Sequence, residues 1–221
     1  LDADGSPEII HGRRVYRADG TLKWQGTGDY GGETIYGLVP IAADVNLDGR
    51  LEVVAGRTLY SADGNTLWHR GNLPSDGFNA VGNFDDDEFA EIVLVAGGRV
   101  YLLEHTGETI WGPVSIPGGG QGGAPTVADF DGDGRPEIGV AGASNYVVFD
   151  TNGSILWTAK TQDSSSHRTG SSVFDFDGDG KAEVLYADEV RFFIYDGATG
   201  TTRLNIPNGS ATTLEYPIVT D

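Results

Sequence analysis

Cysteine and methionine are both absent from the 221 residues, and only 14 lysines and arginines stand against 33 aspartates and glutamates. Without cysteine there is no disulfide framework, no thiolate metal site and no cysteine nucleophile. A formal net charge of −19 opposes a polyanion, so nucleic acid is not an expected partner. No apolar run approaches the roughly 20 residues that cross a bilayer, so membrane insertion is not expected. The four histidines are scattered along the chain without an H-E-x-x-H, and no G-x-S-x-G occurs, so no nucleophile is paired with a base. Gly118 to Gly123 spells G-x-G-x-x-G, but a strand pattern and an acidic loop follow it where a dinucleotide site needs a helix. The chain opens on Leu1 without Met, which reads as a processed or excised segment. At 38% hydrophobic residues it can bury a core, yet the excess acid opposes compaction unless something neutralises it.

What the sequence does hold is a repeat. Asp129-Phe-Asp131-Gly-Asp133-Gly-Arg135-Pro-Glu137 recurs as Asp175-Phe-Asp177-Gly-Asp179-Gly-Lys181-Ala-Glu183. Asp44-Val-Asn46-Leu-Asp48-Gly-Arg50-Leu-Glu52 is a third copy, and Asn83-Phe-Asp85-Asp-Asp87-Glu88-Phe89-Ala-Glu91 a fourth. A fifth opens the chain as Asp2-Ala-Asp4-Gly-Ser6-Pro-Glu8, and its missing first acid is supplied by Asp221 at the other end. First positions at 44, 83, 129, 175 and 221 are spaced by 39, 46, 46 and 46 residues, and 44 more lead round to Asp44. Each repeat reads as four short strands, with a hairpin turn of the Asn152-Gly153 kind before the last. No helical periodicity of useful length appears. Four-stranded units of this length in tandem predict an all-β propeller, residues 1–221 forming one domain of five blades. The segment from Tyr216 to Thr220 is expected to pair with the strand near Glu8, completing the first blade and removing two open edges. The alternative is five blades of a longer array.

Oxygen side chains at positions 1, 3 and 5, a turn-forming Gly at 6, a backbone carbonyl at 7 and an acid further on wrap a hard cation. Here the last ligand is Glu at position 9, and strands flank the loop. An EF-hand needs Glu at position 12, where Ala55, Val140 and Tyr186 stand, and is rejected. Oxygen-only donors favour Ca²⁺ over Mg²⁺, about one ion per repeat and up to five in all. The position 7 carbonyls belong to Ser6, Arg50, Phe89, Arg135 and Lys181. The Asn83 loop is expected to bind most weakly of the internal four, since Glu88 takes a place suited to glycine at a cost of roughly 1 kcal/mol. Eighteen of the 33 acids are assigned to these loops.

The motif D-x-D-G-D-G-x-x-E before an apolar strand resembles the FG-GAP/VCBS-type repeats of integrin-α-like propellers. The resemblance covers the whole chain and implies calcium in the loop between the first and second strands of each blade, away from the usual ligand face. It departs in the Glu at position 9, the degenerate Asn83 copy and the number of repeats. The family includes adhesion proteins, lectins and some polysaccharide lyases, so the resemblance leaves activity open.

Trp24, Trp68, Trp111 and Trp157 each follow their turn Gly by four residues, with Leu204 in the fifth place, a recurrence that suits packing between blades. Arg13, Arg14, Arg57, Arg99 and Arg191 fall between second and third strands, at the end opposite the acidic loops. With Tyr30, His167 and Arg168 in the connections between blades, they form a candidate surface for an anionic group. The expected protein is therefore a calcium-stabilised, extracellular or cell-surface binding module for a glycan or protein ligand, a monomer or part of a larger chain. The rival is the propeller of a lyase acting on acidic polysaccharide.

Overall fold

The structure, a computed structural model, describes residues 1–33, 37–210 and 216–220. Among these there are 21 strands and no helix. Three-residue to seven-residue strands form four antiparallel meanders of four strands each. The second blade runs Ile41–Ala43, Glu52–Ala55, Thr58–Tyr60, Thr66–His69. The third runs Phe78–Gly82, Glu91–Ala96, Arg99–Leu103, Thr109–Ser115. The fourth runs Thr126–Ala128, Glu137–Ala141, Asn145–Phe149, Ile155–Lys160. The fifth runs Ser171–Phe174, Glu183–Ala187, Arg191–Tyr195, Thr202–Pro207. The first blade has three strands, Glu8–His11, Arg14–Arg17 and Leu22–Gln25, which match the second to fourth strands of the others. A two-stranded ribbon, Gly32–Glu33 with Gly37–Leu38, lies between the first and second blades in sequence.

Burial follows position in the blade. Glu91–Ala96, Glu137–Ala141 and Asn145–Phe149 are buried along their whole length, because a neighbouring sheet covers each face. Fourth strands such as Thr109–Ser115 are mostly exposed or half-buried. Four cores result, each between consecutive blades. Val15 meets Val53 and Tyr60 at the first junction, and Val54 and Leu59 meet Ile92 and Leu94 at the second. Val93 and Val95 meet Ile138 and Val140 at the third, and Tyr146 and Val148 meet Tyr186 and Tyr195 at the fourth. Burying one such side chain contributes about 1.5–3 kcal/mol.

The tryptophans join the blades, as expected from their spacing. Trp24, Trp68, Trp111 and Trp157 donate from Nε1 to the carbonyls of Ala62, His105, Thr151 and Gly197, each in the next blade, at 2.9, 2.8, 2.9 and 2.5 Å. The next blade's turn glycine lies under the ring. Gly107 has φ +86°, and a Cβ there would stand 2.8 Å from Trp68. Leu204 offers no indole to a blade beyond the fifth.

Residues 216–220 form no strand, so the expected pairing with Glu8–His11 is not seen. No buried core joins the fifth blade to the first among the described residues. Asp221 lies outside the described residues.

Candidate metal loops and the opposite face

In the second to fifth blades the acidic loop connects the first and second strands and its position 9 glutamate begins the second strand; in the first blade Glu8 begins the strand that matches it. That register buries the carboxyl at the blade base: Glu52, Glu91, Glu137 and Glu183 are 2%, 0%, 1% and 0% exposed. In each, Oε2 accepts the backbone N–H of position 2: Val45 at 3.2 Å, Phe84 at 2.6 Å, Phe130 at 2.7 Å and Phe176 at 2.9 Å. In the first loop the amine of Leu1 takes that place on Glu8 Oε2 at 2.6 Å.

The position 5 carboxylate closes each turn by accepting the N–H of position 7. Asp4 receives Ser6, Asp48 receives Arg50, Asp87 receives Phe89, Asp133 receives Arg135 and Asp179 receives Lys181, at 2.7–2.9 Å. Position 1 accepts from the glycine at position 6, Gly49 to Asp44, Gly134 to Asp129 and Gly180 to Asp175. Those glycines and Gly5 have φ of +85° to +89°. Position 4 is left-handed as well: Ala3 and Leu47 have φ of +59° and +58°, with Gly132 and Gly178 at the same place. The motif gave no sign of this, since the residue type there varies.

The Asn83 loop departs from the expectation. Glu88 is not among the residues with positive φ, so it carries no glycine-type strain. The loop takes another path instead, in which Asn83 Nδ2 donates to the carbonyl of Asp87 at 2.7 Å.

Oxygens from three acids converge in four loops, all within 4.8 Å of one another: Asp2, Asp4 and Glu8; Asp85, Asp87 and Glu91; Asp129, Asp131 and Glu137; Asp175, Asp177 and Glu183. The Asp44 loop has Asn46 in the third position and makes no such group of acids among the described residues. Glu91 Oε1 and Glu137 Oε1 are buried with no hydrogen-bond partner. Burial, with Asp131, Asp133 and Asp129 nearby, pushes the Glu137 carboxyl up to about 7. Burial raises Glu52 and Glu91 in the same direction. A buried carboxylate among acids, with one oxygen lacking a donor, is a group that a cation satisfies. The donors present thus fit a hard divalent ion, which would be held by these acids and neutralise them.

The antiparallel order puts the turns between second and third strands at the other end of each blade. Arg99 and Arg191 are exposed there. Arg57 is committed within the fold: Nε and Nη2 donate to Asp29 at 2.8 and 3.1 Å, and Nη1 donates to the Leu73 carbonyl at 2.6 Å. Arg13 donates to the Gly28 carbonyl at 2.7 Å and lies 4.2 Å above the Tyr30 ring. Arg168 is buried at 8% exposure, its backbone N–H on Asp163, while His167 is half-buried with φ +60°. Arg14 is exposed too, its Nε donating to Gln25 Oε1 at 2.8 Å, so the candidate surface contains three exposed arginines beside others already engaged in the fold. The sequence singles out Asp163 with His167 and Arg168 in the connection from Thr161 to Gly170, but no motif marks it, or Asp76, as ordering the backbone there. Asp76 accepts the N–H groups of Tyr30, Gly31, Gly32 and Gly77, and Asp163 those of Ser166, Arg168 and Thr169. Only their place in variable, Gly- and Ser-rich connections hinted at this role.

Fold and loops together define an all-β propeller built on acidic repeats. Residues 83–140 match the FG-GAP-like repeat family, which bears out the resemblance drawn from the acidic motif. A comparison with curated protein sequences finds no match. Among solved structures, the V. cholerae biofilm matrix protein Bap1 superposes with a TM-score of 0.79 at 20% identity, over 98% of this chain and 61% of that one. Bacillus licheniformis rhamnogalacturonan lyase PL11 gives 0.57 at 22% identity, over 90% of this chain and 35% of the lyase. Rhamnogalacturonan lyase YesW gives 0.56 at 19% identity, over 92% and 36%. The chain thus spans less than two thirds of each. At these identities the likeness is one of fold.

Proposed function

We propose that residues 1–221 form one calcium-stabilised propeller that acts, outside the cell or at its surface, as a binding or adhesion module for a glycan or protein ligand. The observation that carries the metal reading is the unpartnered, buried Oε1 of Glu91 and Glu137 beside converging aspartates. Calcium suits a set of oxygen donors with several carboxylates per site. Its role is structural: it fixes the turn between two strands and removes the repulsion among the acids. The ligand role rests on the other end of the blades, where Arg99 and Arg191 are exposed on turns of a rigid scaffold. The likeness in fold to a biofilm matrix protein agrees with this reading.

Likeness in fold to two rhamnogalacturonan lyases supports a second reading, the propeller of a lyase acting on acidic polysaccharide. A glycan array probed with the calcium-loaded chain, alongside an assay for unsaturated uronide release, separates the two. Retention on acidic glycans without product supports the binding module; release of unsaturated sugar replaces it with the lyase.

A further inference from the structure

One repeat position outside the acidic loops changes its charge from blade to blade. Immediately before the tryptophan position of the fourth strand stand Lys23, Leu67, Ile110, Leu156 and Arg203, basic in the first and fifth blades and aliphatic between. Lys23 Nζ lies 2.7 Å from Asp2 Oδ2 and 2.5 Å from Glu8 Oε1, and its side chain is 14% exposed. Arg203 Nη1 lies 2.6 Å from Asp177 Oδ2, and Nη2 lies 3.1 Å from Glu183 Oε1 and 2.6 Å from Asp196. Asp2 and Asp177 both occupy position 3, and Glu8 and Glu183 both occupy position 9. One repeat position thus delivers a positive charge onto the same two carboxylates in two blades. Glu183 Oε1, like the Oε1 atoms of Glu91 and Glu137, accepts no hydrogen bond, but it has the Arg203 guanidinium 3.1 Å away, whereas no ion pair reaches Glu91 or Glu137 among the described residues.

We propose that Lys23 and Arg203 are resident cations that compete with the divalent ion for the first and fifth loops. The Asp129 and Asp175 loops share all four acidic positions, and Arg203 then sets the fifth loop apart from the fourth, which has the Lys181 side chain beside Gly132 but no ion pair to Glu137 among the described residues. This rests on the calcium reading above. An ion entering the fifth loop must break charge-assisted hydrogen bonds or accept a guanidinium beside it; one entering the fourth loop meets neither cost.

The test is a titration of the full chain with calcium chloride, followed by calorimetry and by native mass spectrometry for the ion count. Wild type is compared with Lys23→Leu, Arg203→Leu and the reciprocal Leu156→Arg. Arg203→Leu and Lys23→Leu are each expected to tighten one weak site by roughly tenfold, and Leu156→Arg to weaken one tight site by a similar factor. Lys23→Gln and Arg203→Gln, which keep a polar side chain, repeat the test should either leucine variant fail to fold. Equal sites in wild type, with variant isotherms superposing on it, overturn the resident-cation assignment and leave the calcium reading standing. Absence of binding in wild type and all variants overturns both.

Discussion

Ser172 Oγ donates to the carbonyl of Pro217, and one repeat earlier Thr126 Oγ1 donates to the carbonyl of Ser171 at 3.3 Å. Donor and acceptor each advance by 46 residues, the repeat length. Pro217 therefore stands beside the fifth blade as the first strand of the fifth stands beside the fourth. What this junction lacks is the other half of the usual connection, since Leu204 has replaced the indole that would grip the next turn.

Chelation is expected to lower the melting temperature. An ion held at a hundred times its Kd contributes about 2.7 kcal/mol, and each kcal/mol shifts the melting point of a chain this size by roughly 2–4 °C. Melting curves in calcium and in EDTA check this; superposable curves would show that the loops are ordered without metal.

The metal-free protein is expected to lose stability as the pH rises from the ordinary carboxylate value of 4.5 to about 7, because the Glu137 carboxyl is pushed up to about 7. A carboxyl whose folded pKa lies above its unfolded one binds its proton more tightly in the fold. Its stabilisation is full below 4.5 and gone above 7, about 3 kcal/mol in all. In EDTA the melting temperature should be higher at pH 5 than at pH 8, with a slope that Glu137→Gln reduces. Calcium affinity runs the other way and rises with pH, since the ion needs the carboxylate.

Gly107→Ala should cost more than Gly134→Ala. Both positions have φ near +86° to +89°, so each pays about 1–2 kcal/mol for the left-handed backbone. Only Gly107 sets its new methyl against a ring, that of Trp68, while nothing lies within 4 Å of Gly134. Trp111→Phe, which keeps a ring and loses the bond to the Thr151 carbonyl, should cost about 1 kcal/mol or more. Urea unfolding at fixed calcium measures all three, and equal losses for the two glycines would refute the packing account.

Arg57→Ala and Arg99→Ala should separate stability from binding. Arg57 supports Asp29, and its removal should cost roughly 2–3 kcal/mol by leaving that carboxylate only the backbone N–H of residue 57. The exposed Arg99 and Arg191 can be changed to Ala within about 0.5 kcal/mol. Weaker binding of polygalacturonate by those two variants, at unchanged melting temperature, is the expected outcome; unchanged binding removes them from the ligand face.

The blades were legible because they are local and repeated. Asp129 to Glu137, the Asn152-Gly153 turn and Trp157 recur at fixed offsets, and each offset has one structural meaning. The Asn83 loop differs from its pattern in detail: a degenerate residue at position 6 predicts strain at Glu88, but the chain takes a different route through Asn83 and Asp87. Lys23 and Arg203 were not legible, since their role depends on the fourth strand passing beside the first loop of its own blade. Asp29 and Arg57 lie 28 residues apart and meet only once two blades are packed. The acid excess was attributed mainly to metal loops, and Asp29, Asp76 and Asp163 show that part of it orders backbone turns instead.

Among the described residues the four cores link consecutive blades, and this makes that part of the molecule a chain of nearly independent mechanical elements. Pulled from its ends, it should unravel one blade at a time rather than all at once. Each release of a 46-residue repeat would add about 16 nm of contour length. The order of those steps would follow the grip of each tryptophan, so the force record of a single molecule would read out the joints one by one.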